Sequence, residues 1–214
     1  LPVLLFSQPH RIADRTKFLL GLEAVNPAIA LAEIIQELAQ AGATVIAIPC
    51  NTAHAPQIFD VVKEELAKKN CTVKLLNLIE ETAQYILQTM GNISVGVLST
   101  TGTKNAGLYR HILNQNNLTT VEPEDELQEA VHAAIYDENY GIKAISSPVT
   151  NRARQELINA IAELKNQGAQ AVVLGCTELP LALPEKENAG IQLIDPNRIL
   201  ARSLIHALDP AKLK

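Results

Sequence analysis

Two stretches in opposite halves of this sequence match position by position. Gly42-Ala43-Thr44-Val45-Ile46-Ala47-Ile48-Pro49-Cys50 and Gly168-Ala169-Gln170-Ala171-Val172-Val173-Leu174-Gly175-Cys176 each run from a Gly-Ala turn through an apolar segment into a cysteine. A helical pattern precedes both. A short apolar run bounded by turn signals reads as a buried strand, and strands that alternate with helices imply a parallel sheet with helical crossovers. Two buried strands often look alike by chance. A match that also sets a cysteine at the same offset, with Thr52 or Thr177 close behind, is far less common. The chain is therefore expected to hold two related α/β halves, each offering one thiol at a strand end.

The rest of the sequence keeps the rhythm. Ile29, Leu31, Ile34, Ile35 and Leu38 recur with helical spacing up to Gly42. A helix from about Ala55 to Lys69, a strand Thr72–Leu76 and a helix Glu80–Met90 follow. Ile93–Leu98 is a strand, Thr103–Gln115 its helix, Thr119–Val121 a short strand and Asp125–Tyr136 a helix. Thr150–Gln167 is helical, Ile191–Ile194 is the last strand and Asn197–Leu208 the last helix. The apolar opening Leu1–Phe6 reads as a strand with neither a Met nor a turn before it, so a further segment is expected to precede it.

Of 214 residues 47% are hydrophobic and 3% aromatic, with no Trp, so the core must be aliphatic. A net charge of −5 argues against a nucleic-acid surface, which needs a basic face. No run approaches the ~20 apolar residues of a membrane span. Three cysteines make no disulfide framework and fit a reducing, cytoplasmic setting.

In open α/β sheets the functional crevice lies beyond the carboxyl ends of the strands, which is where Cys50 and Cys176 fall. Backbone N–H groups after each strand would favour a bound carboxylate and a thiolate. Taken singly, a cysteine after an apolar strand is ordinarily packing; the duplication turns that balance for Cys50 and Cys176, while Cys71 stays structural. Zinc is the weaker option: His54 stands four residues after Cys50, yet there is no CxxC or HxxxH ligand pair. Redox pairs typically use CxxC, and Gly102 stands alone, matching no nucleotide fingerprint.

Pro49-Cys50-Asn51-Thr52-Ala53-His54 and Leu174-Gly175-Cys176-Thr177-Glu178-Leu179 resemble the two motifs of the aspartate/glutamate racemase superfamily. Glutamate racemases usually read Gly-Cys-Thr-His at the second, so Glu178 draws the resemblance toward the aspartate racemase branch. Ile12-Ala13-Asp14-Arg15-Thr16, with Ala13 where that family typically has Pro, also fits, as do Thr100-Thr101-Gly102-Thr103, Tyr140-Gly141-Ile142-Lys143 and Asp195-Pro196. Family members begin with another strand and a Gly-rich loop, which this sequence lacks.

The resemblance implies two similar α/β/α domains with mainly parallel sheets and an active site in the cleft between them. The first would hold residues 1–77 plus 191–214 and the second 78–190. It implies racemisation of an acidic amino acid, aspartate foremost, without pyridoxal phosphate, metal or other cofactor, in a cytoplasmic homodimer. Cys50 and Cys176 would be opposed acid–base thiols. Arg15 and Lys143 would meet substrate carboxylates, with Asn51, Thr52, Thr100, Thr103 and Thr177 as further substrate contacts. Asp14, His54 and Glu178 would support them. The alternatives are a broader racemase, a dicarboxylate isomerase or decarboxylase, or a binding protein for an acidic amino acid.

Overall fold

In a computed structural model, which describes residues 1–213, the chain runs through helices α1 (Arg15–Leu19) and α2 (Ala28–Gln40), strand β1 (Val45–Ala47), α3 (Pro56–Lys68), β2 (Lys74–Leu76), α4 (Leu78–Met90) and β3 (Ser94–Leu98). It continues through α5 (Thr101–Asn105), α6 (Leu108–Gln115), β4 (Thr119–Val121), α7 (Asp125–Tyr136), α8 (Asn151–Asn166) and β5 (Ala171–Leu174). It ends with α9 (Leu179–Ala182), β6 (Glu187–Asn188), β7 (Ile191–Ile194) and α10 (Pro196–Leu208).

The repeated segment folds the same way twice. Helices α2 and α8 both stop at a left-handed glycine, Gly42 at φ +96° and Gly168 at φ +95°. At each stop the glycine N–H and the following alanine N–H bond back into the last helical turn. The pairs are Gly42 to Ala39 and Ala43 to Leu38 in one, Gly168 to Lys165 and Ala169 to Leu164 in the other. This paired cap satisfies the end carbonyls and re-aims the chain, here into β1 and β5.

β1 and β2 form a parallel pair with Val45 opposite Lys74. The larger sheet has the order β4-β3-β5-β7-β6, parallel except for the edge strand β6. Its side chains alternate between two cores, as a strand requires. Val172 and Leu174 pack with α7 and α8, whereas Ala171 and Val173 pack with α4, α6 and α10. In β1, Ile46 joins the core of α2 and α3, and Val45 and Ala47 lie against the core that includes α10. The mixed α/β class with parallel sheets is therefore as the sequence implied.

Three local expectations give way. Leu1–Phe6 forms no strand and is exposed, having no strand partner among the described residues. The expected helix Thr103–Gln115 is two helices, broken at Gly107, whose φ of +61° leaves the right-handed region. β7, assigned from the sequence to the first half with α10, hydrogen-bonds to β5, with Val172 opposite Leu193, and so belongs to the larger sheet. α10 packs on α4, which the sequence assigned to the second half, as well as on β1 of the first. No helix among the described residues is long and apolar enough to cross a membrane.

Candidate active site

The chain leaves β1 at Pro49 and turns at once. Cys50 N–H donates to the Ile48 carbonyl at 2.8 Å, and Asn51–His54 form a single 3-10 turn before Pro56 opens α3. The chain leaves β5 through Gly175, whose N–H donates to Leu98 O at 2.7 Å. A Cβ on Gly175 would stand 2.8 Å from that same carbonyl oxygen, so only glycine lets the strands close here. Cys50 and Cys176 consequently line one crevice, Cys50 half-buried and Cys176 buried.

Asp14, Arg15, Asn51, Thr52 and Thr100 also line this crevice, as do Lys143, Thr177 and Glu178. Two sequence-predicted residues stand behind it. Thr103 bonds to Thr52 Oγ1 at 2.9 Å and to Thr100 Oγ1 at 3.1 Å, and Thr100 continues to Thr16 at 3.2 Å. This chain of buried hydroxyls ties α5 to both α1 and the Cys50 turn. His54 turns away and lies against Phe59, with Nδ1 2.9 Å from the Cys50 carbonyl. Among the described residues no three His, Cys, Asp or Glu side chains converge as a metal site.

The electrostatics are asymmetric. Cys176 Sγ donates to Glu178 Oε2 at 2.9 Å, Thr177 Oγ1 donates to the same oxygen at 2.7 Å, and Lys143 Nζ is 3.3 Å from Oε1. Burial, and then the Glu178 charge, push the Cys176 thiol well above its ordinary value. The sequence expectation that backbone donors would favour a thiolate is thus reversed here, because desolvation and a carboxylate partner both oppose the sulfur's charge. Burial works to raise the Glu178 carboxyl, but the Cys176 hydrogen bond and the Lys143 charge outweigh it and hold it low. Burial works against the Lys143 ammonium as well, and Glu178 more than offsets that, so its pKa is raised. At the other thiol, Arg15 lies beside Cys50; burial disfavours its charge, yet Cys50 and Asp14 leave its pKa raised.

Sequence reading missed two crevice residues. Thr16 stands inside the quoted Asp14-Arg15 motif but carries no chemistry of its own. Tyr136 ends α7, four residues before the Tyr140–Lys143 motif but outside it; its ring lies 4.5 Å beneath Lys143 Nζ and its hydroxyl donates to Asp14 Oδ2 at 3.4 Å. Only a helix register, unreadable from spacing, brings it there.

His54 carries a stability prediction. Burial pushes its imidazole down from 6.5 to about 4. Between those values the unfolded chain takes up a proton that the folded chain refuses, so stability falls as pH falls. The total loss from this residue is ~3 kcal/mol. Urea unfolding at several pH values checks it: the wild type is expected to lose that much more than His54→Asn across the window, and parallel slopes would contradict it.

The family model described as Asp/Glu/Hydantoin racemase matches residues 2–204. A broad-specificity amino-acid racemase of Bacillus subtilis is 30% identical over 169 residues, 79% of this chain and 66% of that protein. A glutamate racemase of Levilactobacillus brevis is 24% identical over 160 residues, 73% of this chain and 52% of its own length. The chain thus spans between half and two-thirds of these two relatives. Among solved structures, the Picrophilus torridus aspartate racemase superposes with a TM-score of 0.76 at 28% identity, covering 95% of this chain and 78% of that one. An aspartate racemase homologue from Pyrococcus horikoshii gives 0.69 at 28% identity, covering 85% and 74%. With the family match running almost end to end and the fold shared, the chain belongs to the Asp/Glu/hydantoin racemase family.

Proposed function

We propose that this protein interconverts L- and D-aspartate by two-base proton transfer between Cys50 and Cys176, without pyridoxal phosphate. The observation that carries the reading is the placement of both thiols in one crevice, at equivalent strand ends of the two halves. Inverting a carbon needs a base on one face and an acid on the other. One thiolate takes the α-proton, forming an S–H bond, and the C–H electron pair passes into the substrate's α-carbon and carboxylate. The opposite thiol then gives its proton to the other face and is left as the thiolate. No electron is gained or lost, and the enzyme ends with its two sulfurs exchanged in protonation.

The α-C–H is weakly acidic, so fixed cations and donors must hold the charge that develops. Arg15, beside Cys50, and Lys143, beside Glu178 and Tyr136, supply that charge. Asn51, Thr52, Thr100 and Thr177 supply donors along the same wall. Thr103, behind them, holds Thr52 and Thr100 rather than touching substrate. In this conformation the crevice is narrow, with a cavity volume of about 30 Å³. A homodimer, on the resemblance alone, and a cytoplasmic setting, on the cysteine usage, are part of the same proposal.

The Bacillus relative's broad specificity supports a second reading, a racemase accepting several amino acids. Comparing kcat/KM for aspartate, glutamate and alanine separates the two: aspartate should exceed the others by at least about tenfold, and near-equal values would favour the broad reading.

Glu178 gives a separate test. Its charge holds the Cys176 proton in place, so Glu178→Gln is expected to speed alkylation of Cys176 by iodoacetamide at neutral pH severalfold. The alkaline limb of the kcat/KM profile should move to lower pH. Slower alkylation would show that Glu178 activates the sulfur instead of keeping it protonated.

A further inference from the structure

Tyr109 is an aromatic side chain buried in an aliphatic core. It lies on α6, is 1% exposed and packs with Leu108, Leu113 and Ile194. Its hydroxyl reaches out of that core to the first half of the chain and donates to Oδ1 of Asn51, the residue after Cys50. Room for the ring comes from Gly175, the residue before Cys176, where a Cβ would stand 3.0 Å from Tyr109 Cε2. The phenol thus passes beneath one thiol's strand end to hold the neighbour of the other.

Asn51 is 2% exposed and lines the crevice, and its Nδ2 has no hydrogen-bond partner among the described residues. The two amide orientations are not equivalent. As found, the phenol O–H donates and its hydrogen is satisfied. Turned over, Nδ2 would donate to the phenol oxygen, leaving the phenol hydrogen buried without an acceptor and Oδ1 facing the crevice. A buried, unsatisfied O–H is costly. Burial also keeps Tyr109 protonated and able to donate. A buried NH2 without an acceptor calls in turn for one from a ligand.

We propose that Tyr109 is a positioning residue of this site: by donating to Asn51 Oδ1 across the two halves, it locks the amide so that Nδ2–H2 is presented to a substrate carboxylate oxygen between the thiols. The inference rests on the acidic amino acid reading for its ligand class, and it adds a residue that no motif marks.

Tyr109→Phe keeps the ring and removes the donor. Two readouts are independent of turnover. In the ligand-free protein, the Asn51 side-chain amide signals in a ¹⁵N NMR spectrum, assigned by their loss in Asn51→Ala, should shift or broaden in Tyr109→Phe. By calorimetry, Tyr109→Phe should bind succinate, a dicarboxylate with no α-amino group, about tenfold more weakly. In turnover the KM for L-aspartate should rise about tenfold with kcat changed less than threefold. In the Asn51→Ala background, Tyr109→Phe should cost no further affinity, since the phenol acts through that amide. Unchanged succinate binding, unchanged Asn51 signals or an equal loss in the Asn51→Ala background would each overturn the proposal, as would a wild type that binds no dicarboxylate. A wild type that binds succinate but racemises nothing would remove the racemase reading and leave the role of Tyr109 standing on its binding data.

Discussion

Cys50→Ala and Cys176→Ala are each expected to lower aspartate racemisation by about 10³-fold, within the range ascribed to one general acid or base. Both directions should fall together, because every turnover uses one sulfur as base and the other as acid. The structure makes the two losses chemically different all the same. Cys176 is buried, bonded to Glu178 and held as a thiol; Cys50 is half-buried beside Arg15. Cys50→Ala therefore keeps the thiol whose proton Glu178 holds, and Cys176→Ala leaves Glu178 paired with Lys143 and Thr177. Conversion followed by chiral chromatography checks the prediction. A variant within tenfold of the wild type would show that its sulfur is not one of the two bases.

Arg15→Ala is expected to lower kcat/KM by about 10²- to 10³-fold, with Arg15→Lys recovering only part. Two charge-assisted hydrogen bonds of ~1.5–3 kcal/mol each account for that size. Among the described residues Arg15 donates to the Ala13 carbonyl at a long 3.4 Å and faces the Cys50 sulfur, with no carboxylate paired to its fork at hydrogen-bond distance. A lysine restores the charge without the paired geometry. Steady-state kinetics with L-aspartate, beside a melting curve to confirm folding, decide the matter. A loss smaller than about threefold would put the carboxylate contact elsewhere, Lys143 being the next cation on the crevice wall.

The sequence foretold the crevice better than it foretold the layers around it. Cys50 and Cys176 follow strands that a run of Val, Ile and Ala makes plain, and Asn51, Thr52, Thr177 and Glu178 come with them because they are neighbours in the chain. Asp14, Arg15 and Lys143 were found through short motifs. Tyr136 and Tyr109 carry no such signal: they sit on helices α7 and α6, and their reach to Lys143 and Asn51 depends on how those helices dock. The place of β7 was hidden for a similar reason. Ile191–Ile194 reads as a buried strand in either half, and only its pairing with β5 decides. His54 looked like a crevice residue by its spacing from Cys50, but a 3-10 turn rather than a helical face lies between them and points the ring into the core.

The central claim, two monoprotic bases on opposite faces of one α-carbon, is tested most directly by isotope uptake. L-aspartate is incubated with the protein in D₂O without pyridoxal phosphate, and both enantiomers are recovered early and analysed by mass. The account predicts D-aspartate carrying one deuterium at Cα while the remaining L-aspartate is still protiated, since the thiol that donates is not the one that received the substrate's proton. Deuterium appearing equally in both enantiomers from the start would point to a single exchanging base, and no exchange with any acidic amino acid would contradict the account outright.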